Sequence, residues 1–132
     1  MANPNIVNVT SILGETTYLT PSVATSVILL PNASSSSKVY KINQIVAANV
    51  DGSSAVNVTV DLYTNGDEVA GAAPANGTAY AIVSTVSVPA DASLIVVDKT
   101  TAIYLMEDQS IAVTSGTASK ISYTVSYEVI DD

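Results

Sequence analysis

The sequence predicts an all-β chain: an antiparallel β-sandwich, jelly-roll-like, with about eight to ten short strands. Three observations predict it. Apolar residues recur with a period of two, most cleanly over residues 55–64 and 120–129. That is the repeat of a strand buried on one face, because successive side chains leave a strand on opposite sides. Turn residues punctuate the chain at short intervals, as Asp51-Gly52, Asn65-Gly66, Asn76-Gly77 and five prolines. No segment repeats its apolar residues with a helical period.

Composition agrees with a sheet. Serine and threonine make up roughly a quarter of the 132 residues, beside abundant Val and Ile. Branched side chains fit a pleated surface better than a helix. A chain of this length forms one ordinary domain and buries about two-thirds of its unfolded surface, so it needs no covalent staple. Cys, His, Trp, Phe and Arg are all absent. The core therefore comes from Val, Ile, Leu, Ala and some of the seven Tyr.

Taken in order, residues 1–13 read as an extended N-terminal arm or an edge strand, and residues 14–132 as the sandwich domain. Neither face of residues 1–13 is wholly apolar, which suits an edge or a segment that adds to a neighbour's sheet. Gly14 is expected to break this run, with a short strand from Glu15 to Thr20 that Pro21 ends. Val27-Ile28-Leu29-Leu30 is continuously apolar, as in a strand covered on both faces. Pro31 is expected to end it, and residues 32–37 read as a flexible polar loop.

Residues 38–64 look like the centre of the fold. Val56, Val58, Val60 and Leu62 share one face, and Asn57, Thr59, Asp61 and Tyr63 the other. Asp51-Gly52 supplies residues suited to positive φ. The expectation is a β-hairpin with Asp51-Gly52 at its tip. In its first strand Tyr40, Ile42, Val46, Ala48 and Val50 fall on one side, and Val39, Ile45, Ala47 and Asn49 on the other.

Residues 65–78, rich in Gly and Ala, form the longest irregular stretch. Such loops are often functional, so Asp67, Glu68 and Val69 at its tip are candidate partner contacts. A plain exposed connector is the competing reading. Strands are expected again over residues 79–88, 94–97, 102–106, 110–114 and 120–129. The apolar run Leu94-Ile95-Val96-Val97 reads as a central strand.

Chemistry is sparse. Without His or Cys, triads built on either are impossible. Ser37-Lys38 and Ser119-Lys120 are adjacent pairs, whose side chains leave a strand on opposite faces. The acids lie mostly in expected turns, and no Trp is present to stack a sugar, so paired-carboxylate catalysis is disfavoured. Asp67-Glu68 and Glu107-Asp108 offer loop oxygens for calcium, but without a ligand spacing to support it. Asn8, Asn32, Asn57 and Asn76 begin Asn-x-Ser/Thr triplets, best read as structural Asn in a Ser/Thr-rich chain. No catalytic residue, metal ligand or cofactor is expected. The formal charge is −8, with Lys38, Lys41, Lys99 and Lys120 the only bases. That balance opposes binding to nucleic acid or anionic membranes. No apolar run approaches the roughly 20 residues of a membrane span.

Several stretches resemble a known class. They are Lys41-Ile42-Asn43, then Ala48-Asn49-Val50-Asp51-Gly52-Ser53, then Ala55 to Tyr63. Downstream come Val86-Ser87-Val88-Pro89-Ala90-Asp91-Ala92-Ser93-Leu94, Ile103-Tyr104-Leu105 and Ser126-Tyr127-Glu128-Val129-Ile130. Together they resemble small β-rich virion structural proteins of tailed phages, notably those infecting cyanobacteria. The resemblance spans roughly residues 38–130, and residues 65–78 look like an insertion in it. It implies a non-enzymatic virion part, foremost a capsid cement or decoration protein bound to the major capsid protein. A neck, baseplate or fibre-associated subunit is the alternative under the same resemblance. The acidic loops motivate a third reading of a different class, a calcium- or carbohydrate-binding module.

It further implies a homo-oligomer, dimer or trimer, located in the virion and foremost on the head. The N-terminus lacks the basic start and apolar core of a secretory signal, so synthesis in the host cytoplasm is expected. Candidate contacts with capsid or other virion proteins are Ile6, Val7, Val9 and Ile12 in the arm, with Asp67, Glu68 and Val69 in the loop.

Overall fold

The structure, a computed structural model, describes residue 7 and residues 9–131. Nine strands form within them: β1 (Ser11–Leu19), β2 (Val27–Asn32), β3 (Lys38–Asn49), β4 (Val56–Tyr63), β5 (Ala79–Val88), β6 (Ser93–Val97), β7 (Ile103–Leu105), β8 (Gln109–Ser115) and β9 (Ile121–Asp131). One sheet has the order β1-β9-β3-β6, with β7 also pairing β3; the other has the order β2-β8-β4-β5. Every pairing is antiparallel. β6 and β7 lie along the same side of β3, separated by a 3-10 turn at Lys99–Thr101. Counted as one interrupted strand, they complete two four-stranded sheets in the strand order of a jelly roll.

The inner faces meet in one core. Its largest contributor is β9, where Ile121, Tyr123, Val125, Tyr127 and Val129 all point inward. They pack with Ile42, Ile45 and Ala47 of β3 and, from the other sheet, Val56, Val58 and Val60 of β4 and Ile111 and Val113 of β8. Burying each such aliphatic side chain contributes about 1.5–3 kcal/mol.

The expected hairpin over residues 38–64 does not form. β3 and β4 belong to different sheets, and residues 50–55 carry the chain across. A period of two identifies a strand but not its partner, and β4 pairs β5 and β8 instead. Nor does Asp51-Gly52 use positive φ, since Gly71 is the one described glycine in that region. The corner is made by side chains. Asn49 Oδ1 accepts from the Asp51 amide at 2.8 Å, and Asp51 Oδ1 from the Ser53 amide at 2.9 Å. Those bonds to Ser53 hold the Asp51 carboxyl below its usual range.

Other expectations also change. Gly14 does not break the first strand; it sits within β1 opposite Glu128, in an unbroken register with β9. Pro31 does not end β2, which runs on to Asn32. An edge strand accepts proline because one side of its backbone has no ladder to join. β6 is an edge rather than a central strand, and Ile95 is exposed. In β3 the register with β9 shifts between Ile42 and Gln44. This bulge puts Ile42 and Ile45 on the same inner face despite their odd spacing.

The loop of residues 65–78 folds back over the outer face of the second sheet. Ile28 exchanges backbone bonds with it, donating to Ala72 and accepting from Gly71, both at 2.8 Å. The Gly77 amide donates to the Tyr63 hydroxyl at 2.9 Å. Beneath it Ile28, Tyr63 and Ala112 make a second, smaller buried cluster. Tyr63, expected on a polar outer face, is buried for this reason. β2 is covered on both faces, as its apolar run implies.

Candidate interaction surface

Two buried asparagines brace the loops. Asn32 is fully buried. Its Nδ2 donates to the carbonyls of Lys38 at 3.0 Å and Leu105 at 3.1 Å, and its Oδ1 accepts from the Ser36 hydroxyl. The residues read as a flexible loop are thus held at both ends. Asn49 does the same at the far end of β3. Its Nδ2 reaches the carbonyls of Ser54, Val88 and Pro89 at 3.0–3.2 Å, joining the β3–β4 and β5–β6 connections. Each replaces water with full internal bonding, the condition for burying an amide.

The frame around Asn32 carries a groove of about 370 Å³. Asp67, Glu68 and Val69 form one wall, and Pro31, Lys38 and Tyr40 the opposite side. Asp67 Oδ1 accepts from the Ser34 amide at 2.8 Å, tying the long loop to the β2–β3 loop. The Gly66 amide donates to Asp108 at 3.1 Å, and the Ser110 hydroxyl to the Asn65 carbonyl at 2.8 Å. This end of the sandwich is therefore rigidly framed, while Val69 remains 69% exposed.

Behind the groove the Tyr40 ring lies 5.1 Å from that of Tyr127, tilted by 42°. The Tyr127 hydroxyl donates to Glu15 Oε2 at 2.9 Å. Burial, reinforced by the Glu15 carboxylate, raises both phenols above their ordinary value, Tyr127 strongly. They are neutral hydrogen-bonding groups at any physiological pH.

Of the arm candidates, Ile12 lies at the same end, paired through Ile130 to Val39. Ser11 pairs Asp131, which pairs Lys38, so the start of β1 stands two strand spacings, about 10 Å, from Lys38. Val7 and Ile12 are exposed, and Val9 is half-buried. Ile6 lies outside the described residues. The structure thus brings the loop candidates and Ile12 to one end without putting them in one pocket.

A second depression, of about 320 Å³, was not legible in the sequence. Asn43, Gln44, Asp98, Lys99 and Ser126 line it on the outer face of the first sheet. It arises where the β3 bulge meets the 3-10 turn, two irregularities that leave no mark on a hydrophobic pattern. Asp98 caps that turn through Oδ1, and its bonds to Thr100 hold its carboxyl below the usual range.

Among the described residues, no group of three acids or other ligand types is placed to hold a metal ion. Asp67 and Asp108, raised as loop oxygens for calcium, both spend a carboxylate oxygen on a backbone amide. Of the glycosylation-like triplets, Asn32 is buried, Asn57 and Asn76 are exposed, and Asn8 lies outside the described residues. No family model, curated protein or solved structure matches the chain.

Proposed function

We propose that this chain is a non-enzymatic virion structural protein of a tailed phage, acting as capsid cement that binds the major capsid protein. The observation that carries the reading is the framed end of the sandwich. Exposed apolar and acidic side chains stand there on loops already fixed by buried asparagines and backbone bonds. A surface ordered before contact loses little conformational entropy on binding. Many copies on a lattice then stabilise a shell by avidity even where each contact is modest.

The wording of residues 38–130 supports the same reading, as does the jelly-roll fold, which viral capsid domains often use. That second support is fold-level analogy, since one fold serves many functions. The test is add-back. Heads assembled without the chain should rupture under osmotic shock or heating, and purified chain should bind them and restore resistance. Heads equally robust without it, and unable to bind it, would remove the proposal. A neck or tail subunit would instead appear in the few copies of one ring.

A saccharide-binding module is the second reading, favoured by the depression of Asn43, Gln44, Asp98, Lys99 and Ser126. Amide, carboxylate and ammonium groups there suit sugar hydroxyls. Glycan-array binding that is lost in Gln44→Ala would favour it over cement.

A further inference from the structure

The four sheet edges are not treated alike. β2 carries a bulge between Ile28 and Leu30 and a proline, and the long loop occupies its backbone at Ile28. β5 meets β4 with two register shifts, and Thr85 within it has φ of 52°. The β6–β7 edge is interrupted by the 3-10 turn. Bulges, prolines, interruptions and covering loops are the devices that stop a sheet edge from pairing with another chain.

Among the described residues β1 has none of them. Its register with β9 runs unbroken from Ser11 to Leu19, and seven of those nine residues are exposed. Ile12 is 58% exposed, Leu13 57% and Tyr18 79%. It contains no proline and no lysine, and its single charge is Glu15. That inward-pointing carboxylate, the one feature that opposes pairing, already accepts a bond from Tyr127.

We propose that β1 pairs antiparallel with β1 of a second copy of this chain, across a two-fold axis at Thr16, joining the two first sheets into one. The occupant follows from the strand's own sequence. Leu13, Glu15, Thr17 and Leu19 share the inner face with Tyr127, and Ile12, Gly14, Thr16 and Tyr18 the outer. Inner residues must meet inner residues if both sandwiches lie on the same side of the joined sheet, so the axis passes through a residue.

Centring on Glu15 sets two carboxylates face to face, which destabilises a cross-strand pair. Centring on Gly14 sets Glu15 against Leu13 and glycine against glycine. Centring on Thr17 sets Glu15 against Leu19 and shortens the overlap. Centring on Thr16 sets Leu13 against Leu19, lays Tyr18 over Gly14, and gives Glu15 a hydroxyl partner in Thr17. An aromatic side chain opposite a strand glycine covers the backbone the glycine leaves bare. This axis pairs residues 13–19 of both copies with no like charges opposed. Such an interface is isologous and closes as a dimer.

The pairing rests on the edge alone and is independent of the virion reading. Sedimentation equilibrium of the full chain should give twice the 13.5 kDa monomer mass. Thr16→Lys and Thr16→Glu place like charges on the axis, and each alone should sediment as a monomer. An equimolar mixture of the two should regain the dimer mass, which two misfolded variants would not do. The chain has no cysteine, so Thr16→Cys adds the single thiol. Mild oxidation should link it into a covalent dimer, whereas Thr124→Cys, exposed on β9, should stay unlinked. A monomeric native chain would overturn the proposal. So would a dimer that Thr16→Lys leaves intact, or Thr16→Cys linking no better than Thr124→Cys.

Discussion

The phenol oxygen of Tyr123 on β9 lies 3.2 Å from the hydroxyl of Ser115 on β8, a polar link between the two sheets inside an otherwise apolar core. Tyr123 also donates to the Thr114 carbonyl at 3.0 Å, so Ser115 is the donor in their shared bond. Both residues are fully buried. Tyr123→Phe keeps the ring but strands the Ser115 hydroxyl. A buried group left unpaired costs about 1–3 kcal/mol. Urea unfolding should show a lower midpoint with an unchanged slope; an unchanged midpoint would mean that water replaces the bond.

The same phenol makes stability fall in alkali. Burial pushes Tyr123 up to about 12 from an ordinary 10.0. Between those values the native chain keeps a proton that the unfolded chain has released, so stability is full below pH 10 and declines as pH rises toward 12. A shift of two units corresponds to about 3 kcal/mol. Tyr40 and Tyr127 are raised as well and add in the same direction. Unfolding free energy measured against pH should show this decline, and Tyr123→Phe should show a shallower one.

Asn49 tests the bracing of the loops. Asn49→Ala removes its bonds to Ser54, Val88 and Pro89 and leaves the Asp51 amide without its acceptor. Losing several partly buried bonds at once should cost about 2–4 kcal/mol. Asn76→Ala, on the exposed loop, should cost no more than about 1 kcal/mol, since Ala tolerates the positive φ there less well than Asn does. Thermal melts of the two variants separate a bracing side chain from a surface one.

Two glycines should respond oppositely. A methyl group at Gly66 would collide with the backbone of Asn32 and Gln109, neither of which can swing aside. Gly66→Ala should therefore cost about 3 kcal/mol or more. Gly52, read from sequence as a positive-φ turn residue, meets nothing closer than 3.6 Å and has ordinary φ. Gly52→Ala should change stability by no more than about 0.5 kcal/mol. Equal losses would restore the hairpin that the sheet order contradicts.

These residues mark what the sequence makes legible. Strands are legible because period two survives in any context: Ile121 to Val129 alternate in the sequence and are buried in the core. Partners are not, since the alternation of Val56, Val58 and Val60 is the same whether β3 or β8 lies beside it. Nothing in the sequence marks Asn32 and Asn49 as buried braces, because their acceptors include Leu105 and Val88, distant in the chain. Tyr63 reads as exposed because only the folded loop covers it. Asp67, Glu68 and Val69 stood out through the length of their loop, whereas the depression at Asn43 and Asp98 needed a bulge and a turn to coincide in space.

Cryo-microscopy of the virions proposed to contain this chain would decide its role. The account predicts density for the sandwich on the outer shell, repeated over the capsid lattice, with the end bearing Lys38 and Val69 against the major capsid protein. Density confined to the neck or tail, or none on the particle, would contradict it.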